Sequence, residues 1–156
     1  MQTIDPALQK AVWARVLGTA PARTEEEEPP EKALLGFLEQ EWNGYETYRR
    51  LSRRLWGHDA ALLRGLASET LARCQTLHAV YYTETGRRAE LPPRERGGLP
   101  PAPEALAAAR EQERKTARAY EEAAKRWPSL SEDLLALAGE ERRRARLLQT
   151  LLGRLL

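Results

Sequence analysis

Four glutamates and two tyrosines carry the pattern in this chain that could do chemistry. In FLEQEWNGYETYRRLSRRLW (37–56), Glu41 shares one helical face with Tyr45, Tyr48, Ser52 and Leu55, and Leu34 and Leu38 extend that face upstream. A carboxylate inside an apolar stripe is unusual, because burying it alone is costly. The chain then repeats the device. In ALAAAREQERKTARAYEEAAKRW, Glu113 stands two turns before Tyr120, as Glu41 stands two turns before Tyr48, and Trp56 and Trp127 close the two stretches. The echo continues downstream, where Leu66-Ala67-Ser68-Glu69 is answered by Leu137-Ala138-Gly139-Glu140. The offset between the halves is constant to within one residue. Glu41, Glu69, Glu113 and Glu140 are therefore expected to converge, one from each of four helices.

Such a cluster must be neutralised, since like charges a few ångströms apart do not all ionise in a dry core. Three solutions are open. Carboxylates alone can hold a hard cation such as Mg²⁺, Mn²⁺ or Ca²⁺. The guanidinium of Arg143, or of Arg144 if the register slips by one, can pair with them. Or they can share protons with Tyr48, Tyr120 and one another.

The elements that must position these groups are helical. The chain is rich in Ala, Leu, Arg and Glu, has one Phe, and shows no convincing alternating strand. Asp5-Pro6 is a good start for a short helix through Trp13 and Val16 that stops near Gly18. TEEEEPP marks a linker, so residues 1–30 form an N-terminal helix and acidic linker and residues 31–156 the main domain. Long helices are predicted over 31–56, 60–85, 104–127 and from Ser129 to near the C-terminus. Gly57-His58-Asp59 breaks the first pair, with Asp59 as cap. Gly86 stops the second helix. Ser129 and Glu132 make a capping-box pattern for the fourth. The connection RRAELPPRERGGLPPAP is too rich in Pro and Gly to be helical, yet long enough to cross a bundle end to end. Short, long and short connections predict two helical hairpins joined by a crossover.

The remaining composition mostly excludes. Lys and Arg number 25 against 23 Asp and Glu, so neither nucleic acid nor a membrane surface is an expected partner. The single Cys74 excludes an intrachain disulfide and a Cys-x-x-Cys metal site; it reads as a packing residue. No stretch is apolar enough to span a membrane, and MQTIDPALQK lacks the features of a signal peptide, so a cytoplasmic location is expected. The run Glu140-Glu141-Arg142-Arg143-Arg144-Ala145-Arg146 reads as a solvated face with pairs to nearby glutamates.

With these residues in view, the chain over 31–156 resembles the ferritin-like superfamily, and within it the rubrerythrin-like members. In that family the first and third helices each give a glutamate with a tyrosine two turns on. The second and fourth each give a Glu-x-x-His pair, and the six groups hold two irons. LRGLASETLARCQTLHAVYYTETG and LLALAGEERRRARLLQTLL look like those second and fourth helices. The resemblance implies an all-α ferritin-like four-helix bundle, with Glu41, Glu69, Glu113 and Glu140 at the metal-ligand positions. The departures are equally specific. Three residues after Glu69 stands Ala72, and three after Glu140 stands Arg143, so both imidazoles are missing; neither His58 nor His78 is placed to replace them.

Arginine at a ligand position favours a salt-bridged site with Arg143, Tyr48 and Tyr120 neutralising the glutamates. The expected cofactor is none, or iron or manganese if any. The reading this favours is a catalytically silent bundle with a degenerate di-metal site, acting through a protein partner or as a homo-oligomer such as a dimer. The Trp13 helix and the arginine-rich last helix would supply the surfaces. The competing reading is a rubrerythrin-type di-metal peroxidase in oxidative-stress defence.

Overall fold

The computed structural model describes residues 28–93 and 97–156, preceded only by Pro6 and Gln9. The expected N-terminal helix around Trp13 and most of the acidic linker lie outside the described residues. Four long helices follow: α1 (Glu31–Ser52), α2 (Gly57–Thr85), α3 (Ala102–Arg126) and α4 (Ser131–Leu155), with a 3₁₀ turn at Pro128–Leu130 before the last. No strand occurs among the described residues.

Local chemistry explains the ends. α1 stops at Ser52 rather than at Trp56. Arg53 and Arg54 donate backbone N–H bonds to Arg50 and Leu51, three residues back, which tightens the last turn. Trp56 therefore stands outside α1 in extended backbone, 84% exposed, while Trp127 is buried and donates its indole N–H to the Glu28 carbonyl at 2.6 Å. The equivalence of the two tryptophans ends there. Gly57, with φ of +63°, begins α2, so the break lies just before the Gly-His-Asp triplet rather than on it. Gly86 (φ +71°) ends α2 in the left-handed conformation, as expected. Leu130, rather than Ser129, occupies the N-cap position of α4, because the 3₁₀ turn takes up the residues after Pro128.

Long-range pairs establish the directions. Tyr81 donates to Glu31 Oε1 at 3.0 Å, which makes α1 and α2 an antiparallel hairpin. Arg142 Nε to Glu121 Oε1 at 2.9 Å does the same for α3 and α4. Asp59 with Arg154 (2.9 Å), and Arg73 with Glu140 (3.5 Å), set α2 antiparallel to α4. The connection leaves α2 beside Glu31 through Arg87, and reaches the other end of α1. There Arg50 bonds the Gly97 carbonyl (3.0 Å) and Arg54 the Pro100 carbonyl (2.6 Å). It thus runs the length of the helices, as its composition predicts.

The core has two apolar ends and a polar waist. One end gathers Leu34, Leu38, Leu77, Tyr120, Leu130 and Leu137; the other gathers Leu51, Leu63, Leu66, Leu106, Leu148 and Leu151. Burying such residues at both ends supplies the main driving force for folding. It also fixes what lies between them.

Candidate functional site: the buried carboxylate layer

Each helix contributes to the waist through its apolar stripe. In α1 the stripe Leu34, Leu38, Glu41, Tyr48, Ser52 carries Glu41 inward, and in α3 the stripe Leu106, Glu113, Ala117, Tyr120, Ala124 carries Glu113 inward. In α2 the buried series is Leu63, Ala67, Thr70, Cys74, Leu77 and Tyr81. In α4 it is Leu134, Ala138, Glu141, Ala145, Leu148 and Leu152. Both series step by three and four, and both pass one residue beyond the glutamate that the resemblance selects.

Consecutive helical residues are turned by about 100°. Glu69 and Glu140 consequently face outward, with side chains 43% and 32% exposed. Arg143 is 40% exposed and pairs with both of them at the surface, at 3.4 Å to Glu140 Oε2. The expected convergence of four glutamates is therefore corrected. Glu41 and Glu113 meet in the core as expected, Thr70 and Glu141 take the places assigned to Glu69 and Glu140, and the buried cation is Arg144 instead of Arg143. Tyr48 and Tyr120 lie in the layer, fully buried.

Tyrosines and glutamates bond reciprocally across α1 and α3. Tyr120 Oη donates to Glu41 Oε1 at 2.9 Å, and Tyr48 Oη donates to Glu113 Oε1. The two bonds run α1 and α3 antiparallel and relate the halves by an approximate two-fold. Phe37 stacks on Tyr120 with ring centroids 4.2 Å apart and holds that ring in place. Arg144 sits among the acids. Its Nη2 donates to Glu41 Oε2 at 3.1 Å and to Glu141 Oε1, and its Nε donates to Glu113 Oε2 at 3.4 Å. Its Nη1 is buried without a hydrogen-bond partner among the described residues. The same two-fold sets Thr70 opposite Glu141 and Arg73 opposite Arg144. Thr70 Oγ1 donates to the Leu66 carbonyl of its own helix at 2.8 Å.

The electrostatics follow from burial. Desolvation pushes the carboxyls of Glu41 and Glu113 above their ordinary range, and Arg144 opposes it. Burial, and next the neighbouring glutamate, push the Tyr48 and Tyr120 phenols well above theirs. For Arg144 burial disfavours the charge, but Glu41, Glu113 and the two phenols outweigh it and raise the guanidinium above its usual value. It stays cationic at any ordinary pH. Burial and then Glu41 push the Cys74 thiol up to about 12, leaving no thiolate for chemistry at neutral pH.

A two-iron set of carboxylates and imidazoles does not fit these residues. His58 is exposed at the start of α2, and His78 lines a surface groove with Trp42 and Pro92. Three residues after Thr70 and after Glu141 stand arginines, and Arg144 already binds the oxygens that a metal would need. A fixed guanidinium in contact with the whole acidic set repels a divalent ion.

The layer is reached from outside by a cleft of about 320 Å³ between α1 and α3, whose lining includes Asn43, Gly44, Ala105, Ala109, Glu113 and Glu141. Glu113 Oε1 stands 3.8 Å from where a Gly44 side chain would begin, so the missing Cβ brings the cleft to the carboxylate. Arg144 was legible only through the α4 stripe; its residue type argues against burial, and the charge-rich run around it hides the step. Neither a family model, nor a curated protein, nor a solved structure matches this chain.

Proposed function

We propose that this chain is a ferritin-like bundle of rubrerythrin-like pattern in which a guanidinium stands in for the di-metal centre, and that it works by binding rather than by redox turnover. Paired Glu/Tyr helices, two hairpins and a crossover along the bundle support the ancestry. One observation carries the functional reading: Arg144, with no exposed surface, contacts Glu41, Glu113 and Glu141 together. Oxygen or peroxide chemistry at two irons needs open coordination positions on metals held by carboxylates and imidazoles. Here a permanent organic cation binds those carboxylates. The binding partner is a second copy of the chain or another protein.

The test is elemental analysis of the protein produced with iron and manganese supplied, together with a hydrogen peroxide turnover assay. Metal well below one ion per chain and no turnover are the expected results. Two tightly held ions per chain would restore the di-metal peroxidase reading.

A further inference from the structure

We infer that the bundle end carrying Trp56 and Leu156 docks on an anionic lipid surface. Arg49, Arg50, Arg53 and Arg54 face the lipid phosphates, and the two apolar side chains enter the headgroup region. This surface lies at one tip of the bundle, apart from the carboxylate layer and independent of whether that layer holds a metal.

Charge selects an anionic partner. The stretch RRLSRR (49–54) puts four arginines in the last turn of α1 and the turn after it. Arginines elsewhere on the surface, such as Arg87, Arg114, Arg126 and Arg142, sit against carboxylates. These four do not. Arg50 donates to the Gly97 carbonyl, and Arg54 to the Leu99 and Pro100 carbonyls. Arg49 lies over the Tyr45 ring, 5.7 Å from its centroid, and donates to its hydroxyl. The exposed guanidinium of Arg53 has no hydrogen-bond or ion-pair partner among the described residues. Neutral partners hold the charge in place without compensating it. Asp59 is committed to Arg154 at 2.9 Å, which leaves Glu46, one turn back on α1, and Glu104, at the start of α3, against the four. The near balance of 25 basic and 23 acidic residues over the whole chain averages this concentration away.

Shape selects a lipid surface. The Asp59–Arg154 pair joins the start of α2 to the end of α4, which brings Trp56 and Leu156 to the same tip. Their neighbours Leu55 and Leu155 pack against the apolar core at this end. Trp56 and Leu156 carry that apolar surface outward and are 84% and 86% exposed. Large apolar side chains exposed together mark an interaction surface. A residue so exposed projects from the tip rather than lining a pocket, and a bilayer interface accepts a projecting ring without a matching cavity. Indole suits the headgroup region, where its apolar body and its N–H are both satisfied. Arginine lays its stem along apolar surface while its head reaches phosphate. Nucleic acid would engage the arginines but offers Leu156 nothing.

The experiment sediments the full-length chain with vesicles of phosphatidylcholine alone and of equimolar phosphatidylcholine and phosphatidylglycerol. Binding to the anionic vesicles, weakening as salt is raised, is expected. Neutral vesicles should bind about tenfold more weakly or less, since each basic residue near an anionic surface strengthens binding by about fivefold. Two variants localise the contact: Trp56→Ser, and Arg49→Glu with Arg53→Glu, the two arginines that do not hold the crossover. All three positions are exposed, so helical circular dichroism should be unchanged. Each variant should bind the anionic vesicles about tenfold more weakly. Equal binding to the two kinds of vesicle, binding to neither, or undiminished binding by either folded variant overturns the inference. So does tighter binding to a single-stranded oligothymidylate than to the anionic vesicles, which would assign the tip to nucleic acid.

Discussion

Arg144 on the last helix and Glu41 on the first are 103 positions apart, yet Arg144 Nη2 stands 3.1 Å from Glu41 Oε2 with both side chains buried. Their contact spans the bundle between its two apolar ends. It makes the waist of this protein an ion-pair network.

The first expectation contrasts two adjacent arginines. Arg144→Met leaves Glu41, Glu113 and Glu141 without their contacting cation, which should cost roughly 3–5 kcal/mol of unfolding free energy. Arg143→Ala removes only pairs that are partly solvent-exposed and should cost about 1 kcal/mol or less. Urea unfolding of both variants measures the difference. Equal costs would show that the buried layer does not depend on Arg144.

Restoring a metal-ligand set should require the structural register. Thr70→Glu with Arg73→His and Arg144→His places four glutamates and two imidazoles at the inward positions, Glu41, Glu113 and Glu141 being already present. This triple variant should gain Fe²⁺ binding, since imidazole adds suitable nitrogen donors. Ala72→His with Arg143→His, chosen from the sequence pattern, should not, because it retains Arg144 and places a histidine at the exposed side of α4. Iron binding by the second variant and not by the first would reverse the register derived for α2 and α4.

Alkaline stability should fall early. The Tyr48 and Tyr120 phenols lie well above their ordinary value of 10 in the folded chain, first through burial. Their contribution is therefore complete below pH 10. It is lost as pH rises beyond 10, where the unfolded chain releases protons that the folded chain keeps. Cys74, at about 12 against an ordinary 9, acts in the same direction from pH 9 upward. Absorbance at 295 nm should show these two tyrosines ionising only together with loss of helical circular dichroism. Native-state ionisation of all five tyrosines near pH 10 would contradict the network.

Gly44 offers a gain. An added Cβ would meet Thr70 at 3.6 Å, Tyr48 at 3.7 Å and Glu113 at 3.8 Å, all ordinary contacts. Glycine inside a helix costs about 0.5–1 kcal/mol relative to alanine. Gly44→Ala should therefore raise stability by about that amount in thermal or urea unfolding while narrowing the cleft. Destabilisation would mean that the open approach to Glu113 is needed by the fold itself.

The sequence by itself determined the helices, the crossover and the inward placement of Glu41 and Glu113. Local causes suffice for these: helix propensity, Gly and Pro punctuation, and stripes such as Leu34-Leu38-Glu41-Tyr48 in which apolar neighbours leave one register. In α2 and α4 the charged neighbours are doubled. Glu69 lies beside Thr70, Glu140 beside Glu141, and Arg143 beside Arg144, so a reading guided by carboxylates lands one residue early. Only packing decided between them. Burying Leu63, Ala67, Cys74 and Leu77 on α2, and Leu134, Ala138, Ala145 and Leu148 on α4, turns Thr70, Glu141 and Arg144 inward. A fully buried arginine is acceptable only where carboxylates surround it. Those carboxylates come from α1, α3 and α4, an arrangement that exists only after the bundle has closed.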